Sequence, residues 1–289
     1  MNRRAIGIFD SGVGGLTVLH AVRDLLPNED IVYLGDTARL PYGTKSPESV
    51  QRYARHAAGW LFKCDIKLLV IACNTATAFA LDHLRAMLAP LPVVGVIDPG
   101  AAAAVAASRS QRHLVLATEA TTAQRAYTKA IQALVPTADV REQPCSLFVA
   151  LAEEGWVNGD IVGKVAHEYL DSFRGLPEDQ RPDMAILGCT HFPLLSEAIA
   201  AALGSGIKII DSATTTANAV RVELESRDLL SENRDQGNLR LVATDGAERF
   251  ARIGSAFLGA EFSADDIEIT DIHPADFGVH VSSSDSGTG

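Results

Sequence analysis

No stretch of the 289-residue chain approaches the ~20 consecutive apolar residues that a membrane span needs. The first apolar run, AIGIF, follows Arg3 and Arg4 and is cut by Asp10, short of the roughly 7–15 residues of a secretory core. A cytoplasmic protein without a membrane partner is expected. An excess of positive charge is also missing. The formal net charge is −11, which argues against a broad nucleic-acid-binding face. A small anionic substrate stays compatible with that charge, because backbone N–H groups at helix starts hold anions inside acidic proteins. Cysteine is scarce: Cys64, Cys73, Cys145 and Cys189 are too few, in a chain this long, for a disulfide scaffold. Close pairs of metal ligands are lacking too. Only Cys189 and His191 are near one another, whereas a zinc site takes three or four ligands, so no metal is expected.

What the chain does have is alternation. Apolar runs at 5–9, 31–34, 67–72, 92–97, 113–117, 184–188, 207–210 and 239–243 read as strands. Several are rich in Ile and Val, as in a parallel sheet buried on both faces. Helical patterns fall between them, at roughly 15–26, 47–62, 75–88, 100–108, 122–134, 158–173, 193–203, 214–230 and 247–258. The order implies a doubly wound α/β fold. An internal repeat goes further. LVIACNTA leads into VVGVIDPGAAAAV, and AILGCTHF leads into IKIIDSATTTANAV. Both copies run strand, cysteine, polar pair, helix, strand, Ile-Asp, helix. The expected architecture is two pseudo-symmetric doubly wound parallel-sheet domains with the active site in the cleft between them. Residues 1–97 plus 211–280 form the first, 98–210 the second, and 281–289 a flexible tail.

Each cysteine of the repeat stands where a strand ends and a helix begins, near the positive end of a helix dipole that favours thiolate. Either one alone reads equally well as a small buried hydrophobe. Cys189 with His191 also suits a hydrolase nucleophile and its base, but that leaves Cys73 unexplained. Two cysteines facing each other across a cleft suit another task. A thiolate takes a proton from a carbon, and a thiol returns one to the opposite face, inverting a stereocentre. The loop FDSGVGGLT (9–17) carries Gly12, Gly14 and Gly15 after a strand. It lacks the Gly-Lys-Ser/Thr ending of a nucleotide-triphosphate loop, and Asp10 at its start would oppose a phosphate. A nucleotide- or phosphate-binding module would use that loop but has no use for paired cysteines. The turn at Pro41, Tyr42 and Gly43 offers backbone donors and a phenol to a ligand.

IGIFDSGVGGLTVL, LGDTARLPYGTKS, ACNTATA and GCTHFPLL, in this order, resemble the cofactor-independent glutamate racemases over roughly residues 5–230. The cysteine motifs are shared with the wider aspartate/glutamate racemase superfamily, while FDSGVGGL and PYG point to the glutamate branch. CSLFVALAEEGW (145–156) looks like the family's segment around an acidic residue. The resemblance implies two similar α/β domains, no cofactor, and Cys73 and Cys189 as acid/base thiols, each serving one direction of glutamate inversion. Asp10 would assist Cys73, His191 would assist Cys189, and Glu153 would match a further catalytic carboxylate. Substrate contacts would come from Asp10, Ser11, Pro41, Tyr42, Gly43, Asn74, Thr75, Thr121, Thr190 and His191. The resemblance further implies glutamate as the small-molecule partner, D-glutamate supply for peptidoglycan, and a homodimer. Racemisation of aspartate or another acid is the alternative within the superfamily.

Overall fold

Residues 6–10, IGIFD, form the first strand, and their alternation explains where it sits. Ile6 and Ile8 point into one buried cluster and Phe9 into another, on the opposite face. Leu68 and Val70 against Leu69 and Ile71 repeat this on a neighbouring strand. A strand apolar on both faces must be central in a covered sheet.

The computed structural model describes residues 4–273; the tail expected at 281–289 lies outside them. The elements run β1 (Ile6–Asp10), α1 (Leu16–Leu25), β2 (Ile31–Gly35), α2 (Pro47–Lys63), β3 (Leu68–Ile71), α3 (Asn74–Leu88), β4 (Val93–Gly95) and α4 (Ile97–Ala107). The chain continues with β5 (Arg112–Ala117), α5 (Glu119–Gln124), α6 (Ala126–Leu134), β6 (Asp139–Pro144), α7 (Leu147–Glu153) and α8 (Asp160–Arg174). It closes with β7 (Met184–Gly188), α9 (Ser196–Leu203), β8 (Lys208–Asp211), α10 (Ser212–Ser226), β9 (Leu239–Ala243), α11 (Ala247–Leu258) and β10 (Ile267–Ile269). The described strands form two all-parallel sheets, ordered β10-β9-β2-β1-β3-β4 and β6-β5-β7-β8. This is the expected doubly wound α/β fold.

The pseudo-symmetry is visible in the strand order. The run β2-β1-β3-β4 has the same connectivity as β6-β5-β7-β8, so β3 and β7, which lead into Cys73 and Cys189, are equivalent strands. The helices that follow each repeat cross over. α4 leaves the first sheet and packs on α6, β7 and β8, while α10 leaves the second and packs on α1 and β4. One buried cluster therefore runs from Ile8 and Val70 to Leu116 and Leu187.

Three elements are absent from the sequence pattern, and one expected helix is split. β6 (DVREQP) is a polar, partly exposed edge strand paired only with β5, so it needs no apolar run. β10 is a three-residue edge strand and α7 a helix of seven residues. The helix expected over 122–134 starts earlier and is broken at Arg125, which takes a left-handed conformation (φ 53°, ψ 37°) between α5 and α6. No helix among the described residues is long and apolar enough to cross a membrane.

A buried ion pair ties the bottom of the first sheet together. Lys67, at the entry to β3, meets Glu29 at 2.5 Å, with both side chains nearly inaccessible. Glu29 also accepts from the backbone N–H of Ser231 at 2.7 Å, so it anchors the segment leading to β9. Removing one member of such a pair strands a charge in the core. Lys67→Met is expected to cost about 3–5 kcal/mol in urea denaturation. Lys67→Met combined with Glu29→Gln should cost less, because the amide oxygen still serves Ser231 without a charge.

Candidate active site

The loop between β1 and α1 is glycine-rich for steric reasons. A Cβ on Gly15 would lie 2.5 Å from Asp10 Cβ and 3.0 Å from Ala72 Cβ. A Cβ on Gly14 would strike Thr190 and come within 2.5 Å of His191 Nδ1. Glycine is needed because the loop is wedged between the first sheet and the Cys189 turn. Thr17 secures the contact, donating to the Thr190 carbonyl at 3.2 Å. The loop thus brings residues of one unit to residues of the other, and no phosphate cradle is needed to explain its composition.

Cys73 follows β3 and is itself the N-cap of α3, its Sγ accepting from Ala76 N at 3.4 Å and lying 3.7 Å from Ser11 Oγ. The expectation that the helix dipole would favour thiolate here is overturned. Burial, with the nearby Asp10 charge adding to it, pushes the thiol up to about 12. Asp10 is fully buried, and burial holds its carboxyl above the ordinary range, although His191 and the Gly15, Gly12 and Ser11 N–H groups pull it back. Asp10 Oδ2 accepts from Gly12 N at 2.9 Å, and Oδ1 has no hydrogen-bond partner among the described residues.

Cys189 follows β7 at the equivalent place but in different company. The chain after it enters a short 3₁₀ turn over Phe192–Leu195 before α9, so no α-helix starts at the sulfur. Its partner is His191 Nδ1, at 3.8 Å. His191 Nε2 meets Glu153 Oε1 at 3.2 Å, and Arg249 on α11 donates to Glu153 Oε2 at 2.8 Å. The ring edge of His191 also packs on Phe257, centroids 5.1 Å apart. Burial alone would discharge the imidazole. The bonds to Cys189 and Glu153 outweigh it and raise His191 to about 10. Glu153 is held below the ordinary carboxylate range: burial pushes it up, but the His191 bond and Arg249 prevail.

Polar side chains close the space between the halves. Thr75 on α3 meets Thr118 and Thr121 of the second unit at 3.1 and 3.0 Å, and those two meet each other at 3.1 Å. Asn74 Oδ1 accepts from Tyr127 OH at 2.8 Å. Gly43 abuts Thr118, since a Cβ there would lie 2.9 Å from Thr118 Cβ. Tyr42 departs from expectation: its phenol is buried and donates to Asp36 Oδ2, so it is not offered to a ligand, and Pro41 is exposed beside it. Cys73 and Cys189 are each only 6% exposed, so the described state is closed over the thiols.

The structure therefore brings Asp10, Ser11, Cys73, Asn74, Thr75, Thr121, Glu153, Cys189, Thr190 and His191 to one junction between the sheets, with the Pro41–Gly43 turn at its edge. Four residues at this junction carry no signal used from the sequence: Thr118, Tyr127, Arg249 and Phe257. Thr118 was findable, since it stands directly after β5, where parallel strands present ligand-binding side chains. Arg249 meets a carboxylate 96 positions away and has no local signature.

Comparison with known proteins gives the family and the fold. A family model described as Asp/Glu/hydantoin racemase matches residues 16–220. A glutamate racemase from Geobacter metallireducens is 48% identical over 258 residues, covering 89% of this chain and 94% of the relative. One from Aquifex aeolicus is 43% identical over 256 residues, covering 89% and 94%. The crystal structure of glutamate racemase from Francisella tularensis in complex with D-glutamate superposes with TM-score 0.86 at 37% identity, covering 94% of this chain and 98% of that one. The aspartate racemase of Picrophilus torridus, at 16% identity and TM-score 0.58, shares the fold alone. A matched family model over most of the chain and close relatives along nearly its whole length lead to one conclusion: the chain belongs to the Asp/Glu/hydantoin racemase family, a family of isomerases.

Proposed function

We propose that this chain interconverts L- and D-glutamate without an organic cofactor, with Cys73 and Cys189 as the two proton-transfer groups. The observation that carries this reading is the pair of cysteines at the carboxyl ends of equivalent strands in two sheets, each with its own polar escort. In the reaction one thiolate takes the α-proton, so a C–H bond breaks, an S–H bond forms and the electron pair stays on carbon. The other thiol then gives its proton to the opposite face of that carbon. The glutamate relatives and the FDSGVGGL and PYG segments favour glutamate over aspartate.

The two halves are prepared for opposite roles. Burial keeps Cys73 as a thiol, a proton donor, with Asp10 beside it. His191, held cationic, faces the Cys189 sulfur and offers countercharge to a thiolate there. Arg249 and Glu153 hold His191 in place. Ser11, Asn74, Thr75, Thr118, Thr121, Thr190, His191 and the backbone of Pro41, Tyr42 and Gly43 supply donors for the two carboxylates and acceptors for the amino group. Such oriented dipoles in a water-poor site are what lower the barrier to ionising a weak carbon acid. Because both thiols are covered, a substrate enters only when the two units part, and their closure excludes water. A homodimer in the cytoplasm that supplies D-glutamate for peptidoglycan completes the reading.

Incubated in D2O without added cofactor, the protein is expected to incorporate deuterium at the α-carbon of both glutamate enantiomers, and to turn over aspartate far more slowly. Cys73→Ser and Cys189→Ser should each lose about 10²- to 10⁴-fold in racemisation. Wild-type protein that leaves glutamate undeuterated ends the proposal, and loss in only one variant ends the two-thiol assignment.

A second outcome concerns pH. With its midpoint raised from 6.5 to about 10, protonated His191 contributes stability that is fully present below pH 6.5 and is lost as pH rises through about 10. Glu153→Gln replaces the anionic acceptor at His191 Nε2 with a neutral amide, which supports the imidazolium less. NMR titration of the His191 ring should then show the midpoint move down by about one pH unit or more. An unmoved midpoint would show that Glu153 does not set the charge of His191.

A further inference from the structure

Tyr127 is fully buried and takes no part in the proton transfers. It stands on α6, yet its hydroxyl donates to Asn74 Oδ1, on the first turn of α3 in the other unit, at 2.8 Å. Its ring fills space that two glycines leave open. A Cβ on Gly188 would lie 2.9 Å from the ring, and one on Gly100 would lie 3.5 Å from it. Asn74 directly follows Cys73, and Gly188 directly precedes Cys189. One side chain therefore touches the neighbour of each sulfur.

We infer that Tyr127 is a positioning residue that fixes the Asn74 carboxamide so that its NH2 group is presented to a carboxylate of the amino-acid substrate. A carboxamide has an accepting end and a donating end. Tyr127 occupies the accepting end. The donating end, Nδ2, is buried and has no partner among the described residues. A buried donor without a partner is rare in native proteins and signals a group that something else satisfies. An anionic ligand between the units suits it, because N–H donors bind carboxylates well and the amide cannot turn over without losing its phenol. Burial also holds the phenol in its protonated, donating form. The inference rests on the reading of Asn74 as a substrate contact in a glutamate racemase.

Tyr127→Phe keeps the ring against Gly100 and Gly188 and removes only the donor. It is expected to raise KM for both glutamate enantiomers about tenfold, leaving kcat within roughly threefold of wild type. Asn74→Ala should raise KM by at least as much. In the Asn74→Ala background, Tyr127→Phe should add nothing further, because the group it orients is gone. Additive effects, or an unchanged KM in Tyr127→Phe while Asn74→Ala is impaired, overturn the positioning role. A wild-type protein that does not racemise glutamate overturns the underlying reading instead. A check that needs no Tyr127 variant uses 15N-asparagine-labelled protein, with the Asn74 side-chain signals assigned by their loss in Asn74→Ala. D-glutamate should shift those signals, and signals unmoved at saturating D-glutamate sink the inference.

Discussion

The site depends on how closely the β1–α1 loop can approach the Cys189 turn. Gly14 and Gly15 lie so near Asp10, Ala72, Thr190 and His191 that a methyl group at either position would collide. That contact brings Asp10, from the first sheet, within electrostatic reach of His191, from the second. With bulkier residues the two units would stand apart, and the polar groups now enclosed between them would be hydrated. The raised proton affinities of Cys73 and His191 both depend on that enclosure, since burial makes each charge depend on a particular neighbour.

Pseudo-symmetry supplies the frame, and its failure in detail gives the two thiols different surroundings. β3 and β7 are equivalent strands, and each delivers a cysteine to the cleft. Cys73 then caps a helix next to a buried carboxyl, whereas Cys189 precedes a 3₁₀ turn and meets an imidazolium backed by Glu153 and Arg249. A reaction that moves a proton from one face of a carbon to the other needs a donor and an acceptor at once. The crossing of α4 and α10 between the sheets keeps the halves in one continuous core.

Much of this was legible from residue patterns. The central strands are apolar on both faces, which gave the parallel sheets, and the repeated strand-cysteine-helix phrase gave the pairing of Cys73 with Cys189. The misses share one physical cause, namely signals too weak or too distant to read locally. β6 is polar because an edge strand needs no buried face. Thr118 was overlooked beside Thr121, although both point into the same threonine cluster. Tyr42 looked like a ligand for the site, but its phenol is committed to Asp36. At Cys73 the helix dipole favours thiolate locally but is outweighed by desolvation, which depends on the whole surrounding structure.

Residue patterns alone set most of the elements, their parallel winding and the placing of Cys73 and Cys189 at equivalent strand ends, because each is encoded in periodicity or in a short contiguous motif. Only the tertiary structure decided which groups stand beside each thiol and in what charge state. Arg249 reaches Glu153 across 96 positions, and Tyr127 reaches Asn74 across 53. Proton affinity in a closed cleft is set by distance and burial, and neither is a property of residues adjacent in the chain.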